Sequence, residues 1–95
     1  MNLDWRLTHL IPMEWDDAIK FQYGEYKLPT LNQLQQAFNQ GMKGFESRYY
    51  WSCKEDNSFK EQAWLFDFKQ GLPFRSDKRV HLYVRLCKEI KELKK

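Results

Sequence analysis

Apolar and polar positions change their period near the middle of the chain. From Met13 to Tyr23, the residues Trp15, Ala18, Ile19 and Tyr23 recur at the spacing of one helix face. Pro12 suits the start of that helix and Gly24 its stop, while Glu14, Asp16 and Asp17 suit the positive end of its dipole. A second helix is predicted from Leu31 to Phe38 or Asn39, with Leu31, Leu34, Ala37 and Phe38 on its apolar side. Its start is sharply marked. Thr30 is an N-cap with Gln33 placed to complete a capping box, and Pro29 keeps Leu28 extended. Gly41 and Gly44 bracket the loop that follows, and its Met42 and Phe45 are expected to tuck onto the core.

Beyond that loop the pattern alternates. Tyr49–Cys53 reads as an aromatic strand and Lys54–Glu61 as a polar loop. Ala63–Phe68 is a strand with Trp64, Phe66 and Phe68 on one face and Leu65 and Asp67 on the other. Lys69-Gln70-Gly71 makes a hairpin turn into a strand over Leu72–Arg75, where Pro73 argues for an edge or a bulge. After a turn at Ser76–Arg79, a last strand is predicted over Val80–Leu86. In it Val80, Leu82, Val84 and Leu86 face one way and His81, Tyr83 and Arg85 the other. Trp5–Thr8 reads as a short edge strand, and the charged tail 88–95 as a short helix or a frayed end. The fold class is α+β: two N-terminal helices packed on a twisted antiparallel β-meander. It is a single domain over residues 1–95, with its core at about 5–87.

At 95 residues the chain has room for one small core, and 17% aromatic residues let that core bury a large area. The net charge of +3 is modest but uneven. Asp4, Glu14, Asp16 and Asp17 make the start acidic; Arg75, Lys78, Arg79, Arg85, Lys88, Lys91, Lys94 and Lys95 make the end basic. Such a gradient attracts acidic partners, nucleic acid or polyanionic glycans. Cys53 and Cys87 do not make a disulfide framework and read as partly buried free thiols. With no signal segment and no membrane-length apolar run, the expectation is a cytoplasmic protein.

No motif identifies a reaction, and no cofactor or metal is expected. The oxygen-rich stretch Glu55-Asp56-Asn57 lacks the spaced ligands of a calcium loop, and Asp16-Asp17 belongs to a helix start. Neither His9 nor His81 sits in a nucleophile motif. The remaining candidate is a binding surface formed by Arg75, Lys78, Arg79, His81, Tyr83 and Arg85, near the loop Lys54–Glu61 and the turns around Gln70 and Lys78. There aromatic anchors would bury area and arginines would pair with acids. The leading expectation is a non-catalytic module for a protein partner, such as a phage or mobile-element inhibitor of a host enzyme. The alternatives are polyanion binding by this basic aromatic face, through nucleic acid or sulfated glycan, and a thiol-dependent enzyme using Cys53 or Cys87.

Several motifs in order carry a resemblance. Met13-Glu14-Trp15-Asp16-Asp17-Ala18-Ile19, Gly24 and Lys27-Leu28-Pro29-Thr30 are followed by Tyr50-Trp51-Ser52, Ala63-Trp64, Gly71 and Tyr83-Val84-Arg85-Leu86-Cys87. This order, over Pro12 to Cys87, resembles the family typified by the C-terminal domain of the Legionella collagen-like adhesin. That family is similar to the formylglycine-generating-enzyme variant of the C-type-lectin fold. The resemblance implies two helices packed on antiparallel strands. It also implies a binding role, directed at sulfated polysaccharide in the named adhesin. The paired reactive cysteines of the formylglycine-generating enzymes have no motif match at Cys53 or Cys87.

Overall fold

The computed structural model describes residues 2–6, 12–46 and 48–90. The elements run β1 (Leu3–Arg6), α1 (Trp15–Lys20), α2 (Leu31–Asn39), β2 (Tyr49–Glu55), β3 (Gln62–Asp67), β4 (Leu72–Asp77) and β5 (Leu86–Glu89). They form an α+β domain with two antiparallel sheets, one of order β2-β3-β4 and one pairing β1 with β5. Leu7 and Thr8 of the expected edge strand, His9, and residues 91–95 of the charged tail lie outside the described residues.

The start of α2 forms as the sequence dictates. Thr30 Oγ1 accepts from Gln33 N at 3.1 Å, and Gln33 Oε1 accepts from Thr30 N at 2.9 Å. Leu28 and Pro29 arrive extended and buried, and the Pro29 carbonyl accepts from Cys53 N at 2.8 Å. Helix α1 is shorter than the predicted Met13–Tyr23. Phe21 turns extended, and Tyr23 pairs with Tyr26 around a turn in which Gly24 takes φ +59°. That pairing competes with helix continuation and leads the chain toward β5, where Lys27 and Cys87 exchange backbone bonds at 3.0 Å.

The last strand departs most from expectation. Ser76 and Asp77 extend β4, and the turn falls at Lys78–Val80. The chain then leaves the β4 edge and crosses to the opposite edge of the sheet. There Tyr83 bridges Tyr50 in parallel, with Tyr83 N donating to Tyr49 O and Trp51 N donating to Tyr83 O. Leu82 pairs with Met13, and Leu86–Glu89 pairs with β1, so Lys88 and Glu89 belong to a strand rather than to a tail. The run predicted as a fourth meander strand is therefore the tie between both ends of the chain.

Both faces of β2-β3-β4 are covered. On one side Trp51, Ala63 and Leu65 pack with Trp15, Ala18, Leu82, Val84 and Leu86. On the other Tyr50 and Phe66 pack with Leu34 of α2, ringed by Trp5, Phe38, Phe45, Phe68 and Tyr83. Phe45 does fold inward from its loop, stacked on Phe68 with centroids 4.2 Å apart. Among the described residues, no helix is long and apolar enough to cross a membrane.

Candidate binding face

The strand β4 is the outer strand of its sheet and is largely exposed along its length. Register fixes which side chains share its faces. Asp67 opposes Leu72, Leu65 opposes Phe74, and Tyr49 and Trp51 oppose Asp67 and Leu65 across β2. Tyr49, Leu65, Leu72 and Phe74 therefore line one side, and Trp64, Pro73 and Arg75 the other. The covering layer reaches Leu65 but stops short of the rim. Tyr49, Leu72, Phe74 and Val80 are 50%, 49%, 41% and 43% exposed.

Beside them lies an open groove of about 320 Å³, lined by the apolar Tyr49, Leu65, Phe74, Val80 and Leu82 and by the polar Asp67, Gln70, Arg75 and Ser76. Tyr49 and Leu82 also wall an adjoining groove of about 350 Å³, completed by Arg48, His81 and Tyr83. Sequence periodicity put Val80 on one face with Leu82, Val84 and Leu86 because it read Val80–Leu86 as one strand. The turn at Lys78–Val80 instead leaves it outside. A usable signal was present in Pro73: an edge strand has no outer neighbour, so its apolar side chains near the rim stay uncovered.

The six candidate residues do not form one basic surface. Arg75 lies over the Trp64 and Phe59 rings, 5.6 and 5.9 Å from their centroids, with Nη1 3.6 Å from Asp56 Oδ1. Lys78 pairs with Glu55, and its ammonium sits 4.7 Å from the Trp15 ring centroid. Arg79 Nη2 donates to Asp77 Oδ2 at 2.9 Å and Nε donates to Oδ1 at 3.1 Å. That fork and the Arg79 backbone N–H hold the Asp77 carboxyl down at about 2. His81 Nε2 lies 4.0 Å from Glu14 Oε2. Tyr83 accepts a hydrogen bond from Arg48, whose guanidinium lies 4.5 Å above its ring.

Arg85 is a correction to the expected face. It alternates with Val84 as predicted, but its side of the sheet is covered by Phe45 and Trp5, and it is only 7% exposed. Alternation gives the side of a strand, not what lies above it.

The other candidate chemistries lose their groups to internal contacts. Asp56 Oδ2 accepts from Phe59 N at 2.8 Å, so the Glu55-Asp56-Asn57 stretch has both carboxylates engaged within the protein. Burial pushes the Cys87 thiol up to about 12, and its Sγ donates to Gln33 Oε1 at 3.3 Å. Burial also raises Cys53. A nucleophilic cysteine needs the opposite shift. Among the described residues, no group of three or more His, Cys, Asp and Glu side chains is placed to hold a metal ion. No family model matches the chain, and no curated protein matches its sequence.

Proposed function

We propose that the protein is a non-catalytic module that binds a protein partner through the β4 rim and its two grooves. One observation carries this reading. Four exposed side chains at the rim, Tyr49, Leu72, Phe74 and Val80, are aromatic or aliphatic, while the cations around them already face carboxylates of the same chain. An apolar rim of this kind suits anchor side chains that exclude water. A polyanion would have to displace Asp56, Glu55 and Asp77 from Arg75, Lys78 and Arg79, which disfavours the nucleic-acid and sulfated-glycan alternatives. The raised thiol pKa values of Cys53 and Cys87 disfavour the thiol-enzyme alternative. The C-type-lectin-like reading of the fold belongs to the same proposal. It draws support from two helices lying against antiparallel strands and from the ordered motifs between Pro12 and Cys87.

The test is affinity capture from cell lysate with the parent protein and with Phe74→Ser and Val80→Ser. The expected result is one stoichiometric protein that survives nuclease and high salt and is lost with either variant. Truncating a true anchor of this type costs about 2 kcal/mol of binding, or roughly thirtyfold in affinity. Recovery that disappears with nuclease or salt overturns the reading in favour of polyanion binding.

A further inference from the structure

The arginines of this chain divide by their surroundings. Arg48 pairs with Glu46, Arg75 with Asp56 and Arg79 with Asp77, and Arg6 feels the charge of Asp4. Arg85 is the buried one, and among the described residues no carboxylate faces it. Its Nε and Nη1 have no solvent contact and no acceptor. Trp5 Nε1 is in the same condition. The two belong together, since the guanidinium carbon of Arg85 lies 6.0 Å from the Trp5 ring centroid and 4.5 Å from that of Phe45.

Three buried donors, one group charged, thus meet no acceptor. Rings compensate a guanidinium only in part, and an isolated buried charge is strongly unfavourable unless paired. Burial accordingly lowers the Arg85 pKa, and the Tyr50 hydroxyl acts against that shift without reversing it. The roof of the cluster is the Gly44–Phe45 turn. Gly44 has φ +95°, and a Cβ there would stand 2.9 Å from Arg85 Nη1. The absence of a side chain at this position lets the turn close over the guanidinium. No helix or strand includes the turn, so its backbone is not held by a ladder.

We infer that Arg85 and Trp5 form the receiving site for one compact oxyanion, a carboxylate or phosphate group, admitted through the Gly44–Phe45 turn. The rings of Phe45 and Trp5 hold the planar guanidinium in place, so little ordering remains to be done on binding. The anion supplies the acceptors and the countercharge that the described residues do not provide. Its source is either a free ion or an acidic side chain of another protein. The site lies on the aromatic side of the sheet, and its case does not depend on the partner proposed for the β4 rim.

The test follows the Arg85 Nε–H and Trp5 Nε1–H resonances by NMR in the intact protein. Sodium acetate, inorganic phosphate and a capped glutamate dipeptide are titrated separately against chloride of matched ionic strength. The expected result is a saturable shift of both resonances with at least one probe, weakened tenfold or more in Arg85→Lys and in Trp5→Phe. Tighter saturation by acetate or phosphate identifies a free ion as the source, and tighter saturation by the dipeptide identifies an acidic side chain. Resonances that do not saturate with any probe overturn the proposal. Unchanged saturation at Trp5 in Arg85→Lys also overturns it.

Discussion

The two sides of the β2-β3-β4 sheet bury similar kinds of residue but finish their polar groups differently. Around Trp51 every indole is accounted for. Trp15 Nε1 donates to Ser52 O at 2.8 Å, and Trp51 Nε1 donates to Met13 O at 2.9 Å. Those two bonds tie α1 and the chain before it to β2. Around Phe66 the Phe68 ring packs edge to face and the Phe38 ring lies tilted, yet Trp5 Nε1 and two nitrogens of Arg85 have no acceptor. Unmade buried hydrogen bonds cost about 1–3 kcal/mol each. One side is therefore a finished core, and the other carries a local deficit that a ligand can remove.

Breaking the finished side has the largest expected effect. Trp51 is fully buried, and Trp51→Ala removes its ring and its bond to Met13 O. The loss is about 4 kcal/mol, a large part of the stability of a small domain, read from urea or thermal denaturation. A loss below about 1 kcal/mol would show that this core does not carry the fold. On the aromatic side, Gly71 closes the β3–β4 hairpin with φ +74°, and a Cβ there would stand 2.4 Å from the Phe38 ring. Gly71→Ala is expected to cost about 2 kcal/mol, from the strained backbone and the displaced ring together.

The same contrast explains what was legible in the sequence. The start of α2 was readable to the residue because Thr30, Gln33 and Pro29 act within one turn of chain. The β2–β3–β4 meander was readable from alternation and from Gly71. The path of residues 82–89 was not. Its pairings with Met13, Tyr49, Trp51, Lys27 and β1 are all distant in sequence, and period-two alternation is the same whichever neighbour a strand takes. That also decided the candidate site. Arg75, Lys78 and Arg79 were placed near one another by their hairpin, but Asp56 and Glu55, the acids of Arg75 and Lys78, come from another strand end, while Arg79 takes the neighbouring Asp77. Arg85 could be assigned a side, while its cover, Trp5 and Phe45, lies roughly eighty and forty positions upstream and is fixed only by packing.

A smaller effect of opposite sign sharpens the comparison. Arg85→Met keeps an unbranched apolar stem and removes the unpaired charge. In dilute chloride buffer the variant is expected to be as stable as the parent or more stable by about 1 kcal/mol, since uncharged replacements of buried charges are often neutral or stabilising. A loss of more than about 2 kcal/mol in the thermal midpoint analysis would mean that the guanidinium already has its counterpart within the chain. It would also remove the contrast between the two sides.

The smallest effect belongs to the exposed end of the hairpin, where charge is already paired. Asp77 is held at about 2 by the fork and backbone N–H of Arg79, below its ordinary value of 3.8. A carboxyl with a lowered pKa stabilises the fold above its unfolded pKa and loses that contribution as pH falls through the folded one. The contribution is thus nearly complete above about pH 5 and mostly lost by about pH 2. Because the pair is solvent-exposed, its size is small and shrinks further with salt. Thermal midpoints of the parent and of Asp77→Asn should differ slightly at pH 6 and converge between pH 4 and pH 2, with Arg85→Met tracking the parent throughout. A gap that persists at pH 2 would assign the role of Asp77 to the geometry of the turn rather than to its charge. Such a result would leave Arg79 as a free cation beside the β4 rim and restore weight to polyanion binding there.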